Sequence, residues 1–299
     1  MDVAITGSSG LIGTALREAL TEAGHRPIRI VRRVPAAGAD EIQWDVDGGT
    51  IDAASLEGID AVVHLAGAGI GDKRWNDAYK KLVLDSRTQG TSLIAGAIAG
   101  LDAKPSIFLS GSAIGYYGPR GDQVITEETP AGDTFLADVC EQWEAAAQPA
   151  IDAGIPTAFL RTGIVQTRKG GALQKQLPLF KLGLGGKFGS GDQYQSWISL
   201  DDEVNAIIHL LTAGVTGPVN LTAPEPVTNA TFAKTLGKVL KRPSFLPVPA
   251  FGPRLLLGKE MADALLFESQ KIMPTVLQSS GYTFAHPDLE SGLRAAIRK

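Results

Sequence analysis

The 299-residue chain is 44% hydrophobic and 20% charged, the balance of a folded protein with length for one large or two ordinary domains. Its net charge of -4 leaves no electrostatic footprint for nucleic acid or an anionic membrane, and no apolar run approaches the ~18 residues of a membrane span. A single cysteine, Cys140, precludes an internal disulfide, and four scattered histidines argue against zinc, so the expectation is a protein of the reducing cytoplasm with no signal peptide and no metal site.

The first predicted element is a short strand over residues 3–5. It opens directly into Thr6-Gly7-Ser8-Ser9-Gly10-Leu11-Ile12-Gly13. Leu11, Ile12, Ala15, Leu16, Ala19, Leu20 and Ala23 then recur at helical spacing, and Gly24 ends the pattern. A strand, a glycine-rich turn and a helix in this order form a phosphate-binding turn. Glycine lets the backbone approach a pyrophosphate closely, and the helix N-terminus offers unpaired N–H groups with partial positive charge. The spacing is Gly-x-x-Gly-x-x-Gly, and the bland alternative is a tight loop.

A second strand over 27–31 runs into Arg32 and Arg33. An NAD enzyme places an acidic residue here for the ribose hydroxyls, whereas guanidinium groups suit a 2′-phosphate. The pair therefore favours NADP(H) over NAD, against the alternative of a solvated basic pair. Residues 35–49 read as a polar connection in which Asp45 is either a partner for the adenine amino group or a turn aspartate. A buried parallel strand follows over 61–68, passing through Leu65 and ending in the small residues Ala66-Gly67-Ala68, with His64 read as a core histidine.

Helical spacing covers 75–99, and a fourth buried strand over 106–109 ends in Ser110-Gly-Ser112-Ala-Ile-Gly-Tyr116-Tyr117-Gly118. Hydroxyls at the carboxyl end of such a strand lie where an open α/β sheet binds ligands; the alternative is a Gly/Ser-rich hairpin loop. A helix is expected over 135–153 and a fifth strand over 157–161. This alternation predicts an α/β fold, a doubly wound parallel sheet of the Rossmann kind. Residues 166–195 read as a glycine-rich irregular stretch, 196–211 as a segment leading into a helix, 219–221 as a strand and 229–240 as a helix. The proline-punctuated tail over 243–299 reads as a smaller α+β part. The expected division is a dinucleotide-binding domain over 1–165, to which 196–222 returns, and a substrate-side domain over 166–299.

On Thr6–Gly13, Leu65-Ala-Gly67 and Ser110-Gly-Ser112 the chain resembles the extended short-chain dehydrogenase/reductases, relatives of the NAD-dependent epimerases and dehydratases. Ser86-Arg87, Gly115-Tyr-Tyr-Gly118, Trp143-Glu144, Arg161-Thr-Gly-Ile-Val165 and Ser196-Trp-Ile198 are similar to one atypical branch, the epimerase family proteins. The resemblance spans nearly the whole chain. It implies cofactor contacts from Gly7, Ser9, Gly10, Leu11, Ile12, Gly13, Leu65, Ala66, Gly67, Ser110, Arg161, Thr162 and Gly163, and substrate contacts from Arg87 and Trp197.

Two departures from the wider superfamily bear on activity. Its reductases pair a serine with Tyr-x-x-x-Lys on the following helix, where the lysine lowers the tyrosine pKa and the phenol exchanges a proton during hydride transfer. Ser112 fits the serine position, but Leu136 and Cys140 stand where tyrosine and lysine are expected. Its epimerases also commonly hold a substrate diphosphate with an arginine where this chain has Gln195. Two functions remain open. One is an NADP(H)-dependent oxidoreductase or epimerase of an unknown small molecule, with Ser112 and Tyr116 or Tyr117 at the reacting oxygen. The other is a non-catalytic NADPH-binding sensor or scaffold. By analogy with the superfamily, the helices over 75–99 and 135–153 are candidate homodimer contacts.

Overall fold

Strand β1 (Asp2–Thr6) passes through the glycine turn into α1 (Leu11–Glu22), and β2 (Arg26–Val31), β3 (Glu41–Asp45) and β4 (Thr50–Ile51) follow. Next come β5 (Ala61–His64), α2 (Asp77–Ala99), β6 (Ile107–Ala113), β7 (Val124–Ile125), α3 (Phe135–Ala145) and α4 (Gln148–Asp152). The chain continues through β8 (Thr157–Thr162), β9 (Ile164–Gln166), α5 (Gly171–Lys181), β10 (Tyr194–Gln195), β11 (Trp197–Ser199), α6 (Leu200–Leu210) and β12 (Gly217–Leu221). The structure, a computed structural model, describes residues 1–298.

Eight strands form one sheet in the order β12-β8-β6-β5-β1-β2-β3-β4. All neighbours are parallel except β3 and β4. β1 lies between β2 and β5, so successive crossovers leave it in opposite directions, and the carboxyl ends of β1 and β5 frame the switch-point crevice. Both faces of the sheet are covered. Val3, Ile5, Ala61, Val63, Ile107 and Leu109 pack with Leu16 and Leu20 of α1 and Ile207 and Leu210 of α6. The intervening Ala4, Val62 and Phe108 pack with Ile94 and Ile98 of α2 and Ala150 of α4. This period of two, with both phases apolar, is why the strands read as continuous hydrophobic runs.

Local chemistry sets several boundaries away from the sequence expectation. α2 begins at Asp77, because the Asn76 side chain accepts the Tyr79 N–H at 2.8 Å and so caps the helix. The helix expected over 135–153 breaks into α3 and α4 around Ala146–Ala147, just ahead of Pro149, which supplies no N–H and disfavours helical geometry in the residue before it. The polar connection over 35–49 contains β3, whose alternation turns Ile42 and Trp44 inward. Within the glycine-rich stretch over 166–195, α5 buries Leu173, Leu177 and Phe180.

A second apolar cluster gathers α5, β13 (Val227–Thr228), α7 (Asn229–Leu240) and, after α8 (Phe251–Leu257), α9 (Lys259–Ala262), β14 (Lys271–Ile272) and α10 (Thr275–Ser279), the last helix α11 (Leu289–Arg298). Trp197, Phe232, Leu236 and Leu293 fill its centre. Residues 198–221 pack instead on the main sheet. The two parts are joined by buried carboxylates. Asp202 at the start of α6 accepts hydrogen bonds from Ser199 Oγ, Tyr282 Oη and the backbone N–H groups of Ala285 and His286. Glu127 accepts from the N–H groups of Asn220 and Val276 and from Thr275 Oγ1. No helix among the described residues is long and apolar enough to cross a membrane, and no group of acidic, cysteine and histidine side chains there could hold a metal ion.

Candidate dinucleotide site and adjoining cleft

The turn after β1 is held tight by a hydrogen bond from the Gly10 N–H to the Gly7 carbonyl at 2.9 Å. Gly7 has a φ of 65°, and a Cβ there would stand 2.7 Å from the Leu65 backbone. A Cβ on Gly13 would stand 2.3 Å from the Gly7 carbonyl oxygen. Both glycines are thus required for the turn to sit this close to β5 and α1. Gly10 is the N-cap of α1 and no side chain caps the helix, which leaves its first-turn N–H groups to a ligand or to water. Ser9 is exposed, and Leu11 and Ile12 are part-buried beside the turn. The cradle and the uncapped helix end together fit a dinucleotide pyrophosphate.

Thr6 fixes the second wall of the crevice. Its hydroxyl accepts the N–H groups of Leu65 and Ala66 at 3.1 and 3.2 Å, and lies 2.8 Å from His64 Nδ1. With both lone pairs engaged, that hydroxyl donates its proton to Nδ1, so His64 carries its hydrogen on Nε2. Burial drives the His64 pKa down to about 3, and the ring is a neutral core group.

At the end of β2 the two arginines part company. Arg33 forks onto the Glu41 carboxylate at 2.6 and 2.9 Å, and Arg29 pairs with the same carboxylate at 3.1 Å. The Ala36 N–H and Arg33 hold the Glu41 carboxyl below the usual range. Arg32 is exposed and makes no ion pair among the described residues. Arg29, which the sequence reading passed over, also approaches Ser8 Oγ of the turn at 3.4 Å, placing it nearer the turn than its position in mid-strand implies. Asp45 is exposed and accepts the Gly48 N–H at 3.1 Å, the turn-aspartate role.

Beside the crevice lies a cleft of about 240 Å³, lined by Arg87, Leu136, Cys140, Trp143, Gly163 and Glu268 among others. Leu136 and Cys140 occupy the positions where the superfamily carries its Tyr and Lys, so an apolar wall replaces the proton-exchanging pair. Burial, reinforced by the nearby Glu144 charge, pushes the Cys140 thiol up to about 12, where it is neutral.

The ionisable groups one turn further along α3 point inward. Glu144 is bidentate to Arg161, with both N–O distances 2.8 Å, and Ser112 Oγ donates to the same carboxylate at 2.6 Å. Arg161 donates to Tyr117 Oη at 3.0 Å, and Tyr117 donates to Asn220 Oδ1 at 2.6 Å. The Arg161 guanidinium lies 3.4 Å from the centroid of the Tyr116 ring. Burial works against the charge on Arg161, but the Glu144 pairing outweighs it and raises the guanidinium pKa.

This cluster corrects several expected roles. Tyr117 is 0% exposed and gives its one proton to Asn220, so it is a structural tyrosine; burial raises its pKa to about 12. Tyr116 packs beneath Arg161 and, like Tyr117, is not part of the cleft wall. Arg161 is spent on Glu144 and Tyr117. Thr162 donates to Glu203 at 2.9 Å, while Gly163 lines the cleft. Trp197, expected at the substrate, is 1% exposed in the second core, its Nε1 donating to the Glu225 carbonyl and its ring closed over by Gly292. Ser110 is fully buried, with no partner for its hydroxyl among the described residues, and so lies off the crevice surface. Leu65 and Ala66 are part-buried and Gly67 exposed along the crevice wall.

A doubly wound sheet with a glycine turn at its switch point, flanked by the strand that carries Ser112, defines a Rossmann fold of the short-chain dehydrogenase/reductase type. Residues 3–138 match the NAD dependent epimerase/dehydratase family and residues 248–296 match a domain of unknown function, DUF1731. The chain is 43% identical over 298 residues to the epimerase family protein Mb2239 of Mycobacterium bovis, covering 99% of this chain and 98% of that one. It is 36% identical to the human epimerase family protein SDR39U1, over 99% of this chain and 100% of the relative. A crystal structure of the human protein (isoform2) with NADPH matches with a TM-score of 0.91 at 35% identity, covering 100% of this chain and 99% of that chain. The protein belongs to this epimerase family, a nucleotide-binding group of oxidoreductase- and epimerase-like proteins.

Proposed function

We propose that the protein binds NADP(H) at the turn after β1 and acts as an oxidoreductase or epimerase-like enzyme on a small molecule in the adjoining cleft. The observation that carries this reading is the uncapped N-terminus of α1 behind Gly7 and Gly13, with arginines at the end of the neighbouring strand. The amides of Leu11, Ile12 and Gly13 would take the pyrophosphate, and Arg32, aided by Arg33 and Arg29, the 2′-phosphate. Leu65, Ala66, Gly67 and Gly163 would flank the rest of the cofactor. When bound, the nicotinamide supplies hydride exchange.

The chain's own groups then have distinct duties. Leu136, Val139 and Trp143 exclude water from the cleft. Glu144 accepts the hydrogen bond of the Ser112 hydroxyl, which leaves that oxygen to accept rather than donate towards a ligand. At equal concentration NADPH is expected to raise the melting temperature more than NADH, and at ~100 times its Kd NADPH stabilises the fold by about 3 kcal/mol. Changing Arg32 and Arg33 to alanine should erase the difference. A larger shift with NADH in the unmodified protein would sink the NADP preference.

A second reading, an NADP(H)-binding sensor or scaffold, is favoured by the apolar Leu136 and neutral Cys140 at the cleft wall. It expects the NADPH-induced thermal shift to persist while no carbonyl compound or alcohol changes the oxidation state of the bound cofactor.

A further inference from the structure

Arg87 projects from α2 into the cleft with part of its donor set uncommitted. Its Nη1 donates to the carbonyls of Ala68 and Val83 at 3.0 Å each, and its plane stacks on Trp143, 4.9 Å from the ring centroid. Nε and Nη2 have no hydrogen-bond partner, and no carboxylate pairs with Arg87 among the described residues. Burial lowers its pKa, while it lies close enough to Cys140 and Tyr79 to feel their charges if they ionise. A guanidinium anchored on one side, stacked on an indole and open on the other is arranged to receive an anion.

The rest of the wall defines what the anion is attached to. Ile70, Leu136, Val139 and Leu265 give it an apolar surface, and about 240 Å³ admits a small body. A diphosphate would bring two charges to a single open guanidinium, with a neutral amide, Gln195, at the position where a second arginine would help. One carboxylate matches one guanidinium fork.

Across the same cleft stands Glu268, between α9 and β14. Its carboxyl makes no hydrogen bond or ion pair among the described residues, and it lines both this cleft and the neighbouring recess with Trp75, Phe135 and Lys259. We propose that the cleft is the binding site of a small monocarboxylate with an apolar body, its anionic end held by Arg87 and its occupancy controlled by Glu268. The proposal rests on the preceding reading only in assigning the carboxylate as the substrate class of that cleft.

The control follows from charge. Burial, with the Asp263 carboxylate nearby, raises the Glu268 pKa to about 7. Of the other charged groups lining the cleft and the recess, Lys259 is held by Asp263, which also pairs with Arg254, Glu260 is paired with Lys80, and Arg87 stands on α2. Below that pKa the cleft carries a lone positive charge. Above it, a second carboxylate opposes the ligand.

The test uses the full chain, with NADPH binding measured separately so that failure of the cofactor reading is seen on its own. Benzoate and benzamide are titrated by calorimetry with and without saturating NADPH. Benzoate is expected to bind with Kd on the order of 1 mM and at least about tenfold more tightly than benzamide. Arg87→Met should remove that preference. Benzoate affinity should fall about tenfold between roughly pH 6 and pH 8.5, and Glu268→Gln should abolish the fall. Equal binding of the two probes, the absence of saturable benzoate binding, or an unchanged preference in Arg87→Met overturns the anion site. A pH dependence that survives in Glu268→Gln overturns the control.

Discussion

At the turn after β1 the helix N-terminus faces outward with no side chain to satisfy it, whereas behind β6 Glu144 is paired on both oxygens and Tyr117 both gives and receives a hydrogen bond. The first region keeps its polar groups uncommitted, ready for a ligand's charge. The second has spent them on each other. In the superfamily that this chain resembles, the region behind β6 carries the reactive pair. Here the positions reaching the cleft are Leu136 and Cys140, and the charge has moved one turn along α3 to Glu144, where it ties β6 to β8. The groups left free at the turn and the groups at the superfamily's proton-exchanging positions are therefore physically distinct: the first are uncommitted, and the second are apolar, with the neighbouring charge paired.

Two substitutions test that separation, and a third tests a buried carboxylate outside both regions. The largest expected effect is on the closed region. Arg161→Met leaves Glu144 without its cation and should cost ~3–5 kcal/mol in chemical denaturation. An unfolding curve that matched the parent's would mean that the cluster is not a strut. Gly13→Ala acts on the open region. Its Cβ meets the Gly7 carbonyl, so a loss of about 1–3 kcal/mol is expected, together with most of the NADPH-induced thermal shift. Retention of the full shift would move the pyrophosphate away from this turn.

The smallest effect has the opposite sign. Glu203 is fully buried with no cationic partner among the described residues, and burial raises its pKa to about 8. The folded protein therefore keeps a proton that the unfolded chain loses in the ordinary carboxylate range, so stability declines as pH rises from that range to about 8. Glu203→Gln should remove the decline and stabilise the protein by on the order of 2 kcal/mol above pH 8. Parallel stability–pH curves for variant and parent would show that Glu203 is ionised in the fold.

The sheet was readable because its central strands bury both faces, and Val3–Ile5, Ala61–His64 and Ile107–Leu109 advertise that as unbroken apolar runs. β3 escaped notice although Ile42 and Trp44 alternate with Glu41, Gln43 and Asp45, because turn residues crowd both sides of so short a strand. At the site, the glycine turn is local and was legible. Arg33 was legible as a basic group but not as the partner of Glu41, eight residues on in another strand. Glu144 had a signal, since it follows Cys140 by four residues and so shares its helix face. Glu268 had none, because only the folded chain brings residue 268 to the same cleft as residues 87 and 136. Trp197 and the two tyrosines illustrate the converse: aromatic residues near a motif are as readily structural as functional.

Asp202 carries a consequence for synthesis. Its donors Tyr282, Ala285 and His286 lie 80 to 84 residues further along the chain, so during translation the Asp202 carboxylate has only the nearby Ser199 hydroxyl until that later segment has emerged. An ionised group cannot be buried unpaired without a large penalty. The nascent chain should therefore hold α6 off the sheet while the glycine turn, whose partners Leu65 and Ala66 precede α6, is already able to form.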